Sequence, residues 1–181
     1  MIVRRIDSIA PERWRNGGGI TRTVAQSGGD WRVSIAEVER DGPYSRFDGI
    51  ARISLVLRGQ GVELRSGDDA IVLKPFEAVE YDGGADWHAT LVDAPVTALN
   101  VMTRAGICRA RVQAIVHPVV IGPGCAAIVV AHESACLCDA LPIAAGETGV
   151  IECVTQPVRL EATRGTPFLV TIECVTDPIQ R

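Results

Sequence analysis

The chain has 181 residues, 47% of them hydrophobic, which is enough to bury a substantial core in one compact unit or two fused halves. With 22 acidic against 18 basic residues its formal net charge is −4 at pH 7, so no overall basic field favours nucleic acid or an anionic membrane surface, and neither is expected as a partner. All basic residues but Lys74 are arginine, whose planar fork matches carboxylates, although a genomic preference for arginine codons explains the bias equally.

The first seven residues carry charge where an export signal needs an apolar run, and the apolar stretch 126–131 is too short to span a bilayer, so a soluble cytoplasmic protein is expected. Short segments rich in Val, Ile, Leu and Thr then recur between Gly, Pro and Asp. They predict strands over 2–6, 20–25, 31–38, 51–57, 61–64, 70–73, 88–92, 96–103, 108–116, 126–131, 135–141, 150–155, 159–162 and 168–175. Gly28-Gly29-Asp30, Arg58-Gly59-Gln60-Gly61, Ser66-Gly67-Asp68-Asp69 and Asp82-Gly83-Gly84 supply turns between them. No long window repeats at a helical period. The chain reads as all-β with little helix, a barrel or a pair of fused barrels.

Composition shifts near residue 105: seven of the eight aromatics lie at or before Trp87, and all six cysteines lie beyond the shift. The division expected is 1–104 and 105–181, with the site mostly in the first part. Without an export signal, Cys108, Cys125, Cys136, Cys138, Cys153 and Cys174 read as reduced, buried small residues.

Strand parity sorts the side chains of the first part. Trp31, Val33 and Ile35 share one face, as do Ile53, Leu55 and Leu57, and Leu99 and Val101. Opposite them lie Arg32, Ser34 and Ala36, then Arg52, Ser54 and Val56, then Asn100, Met102 and Arg104. Turned into a barrel, this mixed face makes a cavity with arginine and amide donors, suited to a small anion; turned to solvent, it is an ordinary wet sheet face.

Four stretches carry more unusual residues than plain scaffold needs: Trp14-Arg15-Asn16-Gly17-Gly18-Gly19-Ile20-Thr21-Arg22, the run from Asp30 to Val38, the run from Asp41 to Arg52, and Leu99-Asn100-Val101-Met102-Thr103-Arg104. Together they resemble the HutD/Ves family of cupin-like proteins associated with bacterial histidine utilisation. The resemblance runs from about residue 3 to residue 106 and continues more weakly to the end. It implies a cupin-like bicupin of two small packed barrels or sandwiches, with a pocket in the first. Thr23, Ala51 and Ala98 stand where the family usually has acidic residues.

Other chemistries lack their residues. Gly17-Gly18-Gly19 has neither the spacing nor the helix of a phosphate loop, and reads as a tight loop beneath Trp14 in which Asn16 either caps the turn or points its amide into the pocket. His88, His117 and His132 are isolated from one another, and Cys136-x-Cys138 after His132 is not a usual zinc spacing, so no metal or other cofactor is expected. No nucleophile elbow occurs, and Glu37 with Glu39 reads as a charged strand end, so no catalytic residue is assigned. The expected ligand set is Arg52 pairing with a carboxylate, Asn100, Asn16 and Ser34 orienting it, Trp14, Tyr44 and Met102 as an apolar wall, and His88 at the mouth.

The function expected is binding of a small carboxylate without turnover, in a sensing or regulatory role. The resemblance points to urocanate, formiminoglutamate, formylglutamate or formate. The alternatives are a metal-independent enzyme with His88 or a glutamate as general base, and a scaffold whose apolar second part mediates homodimerisation or contact with a protein partner.

Overall fold

A computed structural model describes residues 1–175. Among these residues the only helix is a 3-10 turn at Ile6–Ser8, and the rest of the regular structure is nineteen strands. The first eleven are β1 (Ile2–Arg5), β2 (Glu12–Arg13), β3 (Gly19–Ser27), β4 (Trp31–Val38), β5 (Gly42–Pro43), β6 (Ile50–Arg58), β7 (Val62–Ser66), β8 (Asp69–Leu73), β9 (Val79–Asp82), β10 (His88–Leu91) and β11 (Val96–Arg104). The others are β12 (Cys108–Ala114), β13 (Val119–Ile121), β14 (Ala126–Ala131), β15 (Ala135–Cys138), β16 (Leu141–Ile143), β17 (Glu147–Ile151), β18 (Val158–Arg164) and β19 (Phe168–Cys174).

The strands form four antiparallel sheets, none closed into a barrel. Sheet 1 has the order β5-β10-β7-β8, sheet 2 β2-β3-β4-β11-β6-β9, sheet 3 β1-β17-β14-β19-β12 and sheet 4 β13-β18-β15-β16. Three apolar layers stack them in that sequence. Val38, Val56 and Val96 of sheet 2 meet Val62, Leu64 and Leu73 of sheet 1. The other face of sheet 2, with Val33, Ile35, Leu55, Leu99 and Val101, packs on Ile128, Val130, Val170 and Ile172 of sheet 3. Ala127, Val129 and Leu169 on the far side of sheet 3 meet Ile121, Cys136, Ile143 and Leu160 of sheet 4.

Each fully buried leucine or isoleucine in these layers contributes about 1.5–3 kcal/mol. Sheet 3 is covered on both faces, which explains why β14 is a continuous apolar run; sheet 2 is covered on one face and along part of the other, and every residue of its β11 except Arg104 is buried despite the alternating polarity. The apolar face read from strand parity is therefore the layer between sheets 2 and 3.

Several elements differ from their expected form. β2, β5, β9 and β13 were not anticipated: they are two to four residues long and owe their extended form to a paired neighbour rather than to propensity. The segment 135–141 is a hairpin, broken at Asp139, which adopts a positive φ of 51° between β15 and β16. The strand expected at 150–155 begins earlier and ends at Ile151. β1 reaches across to pair with β17, so the start of the chain completes sheet 3.

Cys108 and Cys174 are not reduced. They face each other across the antiparallel β12–β19 pair and form a disulfide. Cys125, Cys136 and Cys138 are free and buried as expected, whereas Cys153 is free and exposed.

Candidate functional site

The second face of sheet 2 is divided along its length. One end carries Val38, Val56 and Val96 and is sealed by sheet 1; the other is polar and opens into a cavity of about 600 Å³. Strand register lays the floor of this cavity in rows. Arg32, Met102 and Arg52 stand side by side on β4, β11 and β6, and Tyr81 continues the row on β9. The next row is Thr23, Ser34, Asn100 and Ser54, and beyond it come Thr21 and Ala36, whose register partners Ala98 and Val56 lie outside the lining.

The walls come from two loops. Trp14 and Asn16 lie on the segment between β2 and β3, and Pro43, Tyr44 and Phe47 lie between β4 and β6. The triple glycine shapes the first loop. Gly17 has a φ of +68°, and a Cβ on Gly19 would lie 2.2 Å from the Glu37 carbonyl oxygen. The Gly18 carbonyl accepts from the Glu39 N–H at 2.8 Å, tying the loop to the end of β4.

Arg52 is 6% exposed, and no carboxylate pairs with it among the described residues. Its guanidinium lies 5.2 Å from the Tyr44 ring and 5.3 Å from the Tyr81 ring, contacts that contribute about 0.5–2 kcal/mol each. Nη1 donates a long bond of 3.5 Å to the Ser45 carbonyl, and the buried Nε has no partner. A buried, incompletely bonded cation is costly, and an anion placed against it removes that cost.

Asn100 is oriented by its neighbours. Its Oδ1 accepts from Ser54 Oγ at 2.6 Å, and the Ser54 oxygen lies 2.9 Å from the Tyr81 hydroxyl, so the amide nitrogen is the end left for the cavity. Ser34 adds a hydroxyl beside it. Burial raises the pKa of the Tyr44 hydroxyl, opposed by nearby Arg52, and keeps it in its protonated, donor form. The floor is thus dominated by donors, as recognition of an anion requires.

Seven of the eight expected ligand residues, Trp14, Asn16, Ser34, Tyr44, Arg52, Asn100 and Met102, line this cavity. Asn16 lines it with part of its amide in use: Oδ1 accepts from the Gly18 N–H at 2.9 Å and one Nδ2 hydrogen goes to the Pro43 carbonyl at 3.0 Å, tying the two wall loops together and leaving the second Nδ2 hydrogen to donate. The eighth residue requires correction. His88 is exposed on β10 opposite Pro43 and Arg65 and is not part of the lining, because sheet 1 turns it outward.

The expectation missed Glu12, Arg13, Arg15, Thr21, Arg32, Ala36, Pro43, Ser45 and Phe47 in the lining, and Tyr81 outside it against Arg52. Arg32 was legible from its shared parity with Ser34, whereas Tyr81 required the unforeseen strand β9. Of the three substituted acidic positions, Thr23 and Ala98 fall on the cavity side of sheet 2 and Ala51 on the opposite side. Glu37 and Glu39 do not act together. Glu37 pairs with Arg22 at the seam with sheet 3, and Glu39 lies 3.9 Å from Arg13. No group of three or more His, Cys, Asp or Glu side chains among the described residues is placed to hold a metal ion.

Stacked antiparallel sheets with a donor-lined cavity against one inner sheet define a cupin-like β protein. A conserved barrel-domain cupin from Leptotrichia buccalis shares this fold with a TM-score of 0.61 at 11% identity, over 96% of this chain and 96% of that one. HutD from Pseudomonas fluorescens SBW25 matches with a TM-score of 0.84 at 19% identity, over 97% and 99%. The family model described as HutD matches residues 7–138, and the chain belongs to the HutD family.

Its relatives include an uncharacterized 21.2 kDa protein in the hutC 3′ region of Pseudomonas putida, 34% identical over 107 residues, or 55% of this chain and 56% of that protein. Protein Ves of Escherichia fergusonii is 33% identical over the same shares. The chain spans about half the length of these curated relatives.

Proposed function

We propose that this chain binds a small carboxylate from histidine breakdown in the sheet 2 cavity, without turning it over, and acts as a sensing or regulatory protein. The observation that carries this reading is Arg52: a buried guanidinium beside two tyrosine rings, with an unpartnered Nε and no carboxylate paired to it among the described residues. A carboxylate against Arg52 takes a charge-assisted bond, and the Asn100 amide and Ser34 hydroxyl orient it. Trp14, Tyr44 and Met102 enclose its carbon skeleton. The association with histidine breakdown comes from the P. putida relative, whose name places it in a hutC 3′ region.

Thermal unfolding with urocanate, formiminoglutamate, formylglutamate and formate tests the reading. At roughly a hundred times its dissociation constant a ligand stabilises the native state by about 2.7 kcal/mol. The expected result is a selective rise in Tm that Arg52→Ala abolishes while remaining folded. Undiminished binding by folded Arg52→Ala, or no rise with any of these acids, refutes it. Mass spectrometry after prolonged incubation distinguishes a binder, which leaves the acid unchanged, from an enzyme.

A further inference from the structure

We infer that the cavity is built for a ligand with two carboxylates, one on Arg52 and the other on Arg32, its carbon chain lying across Met102. The inference rests on the carboxylate reading above and specifies it. Met102 is the register partner of Arg32 on one side and of Arg52 on the other, so the two arginines occupy one row and one face. Two strand spacings separate them, roughly 10 Å between Cα atoms.

Of the four arginines lining the cavity, Arg13 lies 3.9 Å from Glu39, while Arg15, Arg32 and Arg52 pair with no carboxylate among the described residues; Arg15 is exposed on the wall loop, and only Arg32 and Arg52 stand in the sheet row. The one side-chain hydrogen bond of Arg32 among the described residues runs from Nη2 to Met102 Sδ at 3.3 Å, and a thioether is a weak acceptor. Its guanidinium carbon lies 5.8 Å from the centre of the Phe47 ring. Arg32 is therefore a positioned cation with most of its donors unused.

The two guanidiniums hold separate positions rather than sharing one anion. Tyr44 and Tyr81 both lie against the Arg52 guanidinium, and Met102 stands between it and Arg32 in the row. The surface between the charges is therefore apolar at Met102, with the Asn100 amide and Ser34 hydroxyl along one flank. A short aliphatic dicarboxylate has the same order of groups. A volume of about 600 Å³ also exceeds what a one-carbon acid fills.

Isothermal titration of the full chain with matched acids tests this: succinate against butyrate, glutarate against valerate, and adipate against hexanoate. In the wild type the best dicarboxylate is expected to bind about tenfold or more tightly than its matched monocarboxylate. In Arg32→Met that ratio falls to about one, in Arg32→Lys part of it survives, and in Arg52→Met both kinds of acid lose binding, with thermal unfolding confirming each fold. Equal affinities within every wild-type pair, or a ratio unchanged in Arg32→Met, overturns the two-carboxylate inference and leaves the carboxylate reading standing. No binding of any acid overturns both. If Arg32→Met does not fold, the wild-type ratios and Arg32→Lys decide the matter.

Discussion

The Ser54 hydroxyl donates to the Asn100 amide oxygen at 2.6 Å, and this single bond sets which end of Asn100 faces the cavity. The Tyr81 hydroxyl, 2.9 Å from Ser54 Oγ, completes a relay across β9, β6 and β11. Ser54→Ala leaves the amide oxygen and the phenol without their partner, at a cost of about 1–3 kcal/mol. Urea unfolding should show that loss, and carboxylate affinity should fall because Asn100 is free to rotate. Unchanged affinity in the destabilised variant would show that Asn100 does not orient the ligand.

Gly19 allows the Trp14 loop to lie against β4. A methyl group there meets the Glu37 carbonyl oxygen at 2.2 Å, which is backbone and cannot swing aside. Gly19→Ala is expected to destabilise the chain by about 1–3 kcal/mol and to weaken binding by displacing Trp14. Trp14 reports this through its indole, which donates to Thr21 Oγ1 at 2.8 Å: its fluorescence should shift in the variant and not in Gly122→Ala, where the added Cβ has open space and the backbone no positive φ.

The Cys108–Cys174 disulfide closes a loop with a sequence separation of 66. Chain entropy alone gives it a stabilising contribution of about 4 kcal/mol, an upper bound where the unfolded chain keeps structure. Reductant should lower the urea midpoint of the wild type and leave Cys108→Ala/Cys174→Ala unaffected. Alkylation before reduction should modify Cys153 first, because burial raises the pKa of Cys136 to about 11 and also raises those of Cys125 and Cys138. Equal labelling of all four free thiols in the native protein would contradict this order.

His132 lies at the turn after β14, its buried Nδ1 without a partner. Burial lowers its pKa from the ordinary 6.5; Glu133 and Glu37 oppose the shift and Arg58 adds to it. The unfolded chain therefore takes up the proton before the folded one as pH falls. Stability is whole above pH 6.5 and declines as pH drops from there toward the folded pKa. Urea midpoints between about pH 7.5 and about pH 5.5 should fall more steeply in the wild type than in His132→Gln. Identical slopes would remove His132 from the pH response.

Much of sheet 2 is legible in the amino-acid sequence. The alternation in β4, β6 and β11 assigns Val33, Leu55 and Leu99 to one face and Arg52, Ser34 and Asn100 to the other, because successive side chains on a strand point to opposite sides. Strands such as β9 were not legible: Val79–Asp82 is short, weakly patterned and held by its pairing with β6. Without it, Tyr81 had no place beside Arg52.

The sequence by itself determined an all-β chain, the two faces of its central strands and a family, since these depend on local pattern and motif. Only the tertiary structure decided that the mixed face encloses a cavity instead of meeting water, that Asn16 joins two loops while His88 points away, and that Cys108 meets Cys174 across 66 residues of sequence. Each of those outcomes depends on which distant segment packs against the strand, and alternation along one strand carries no information about that partner.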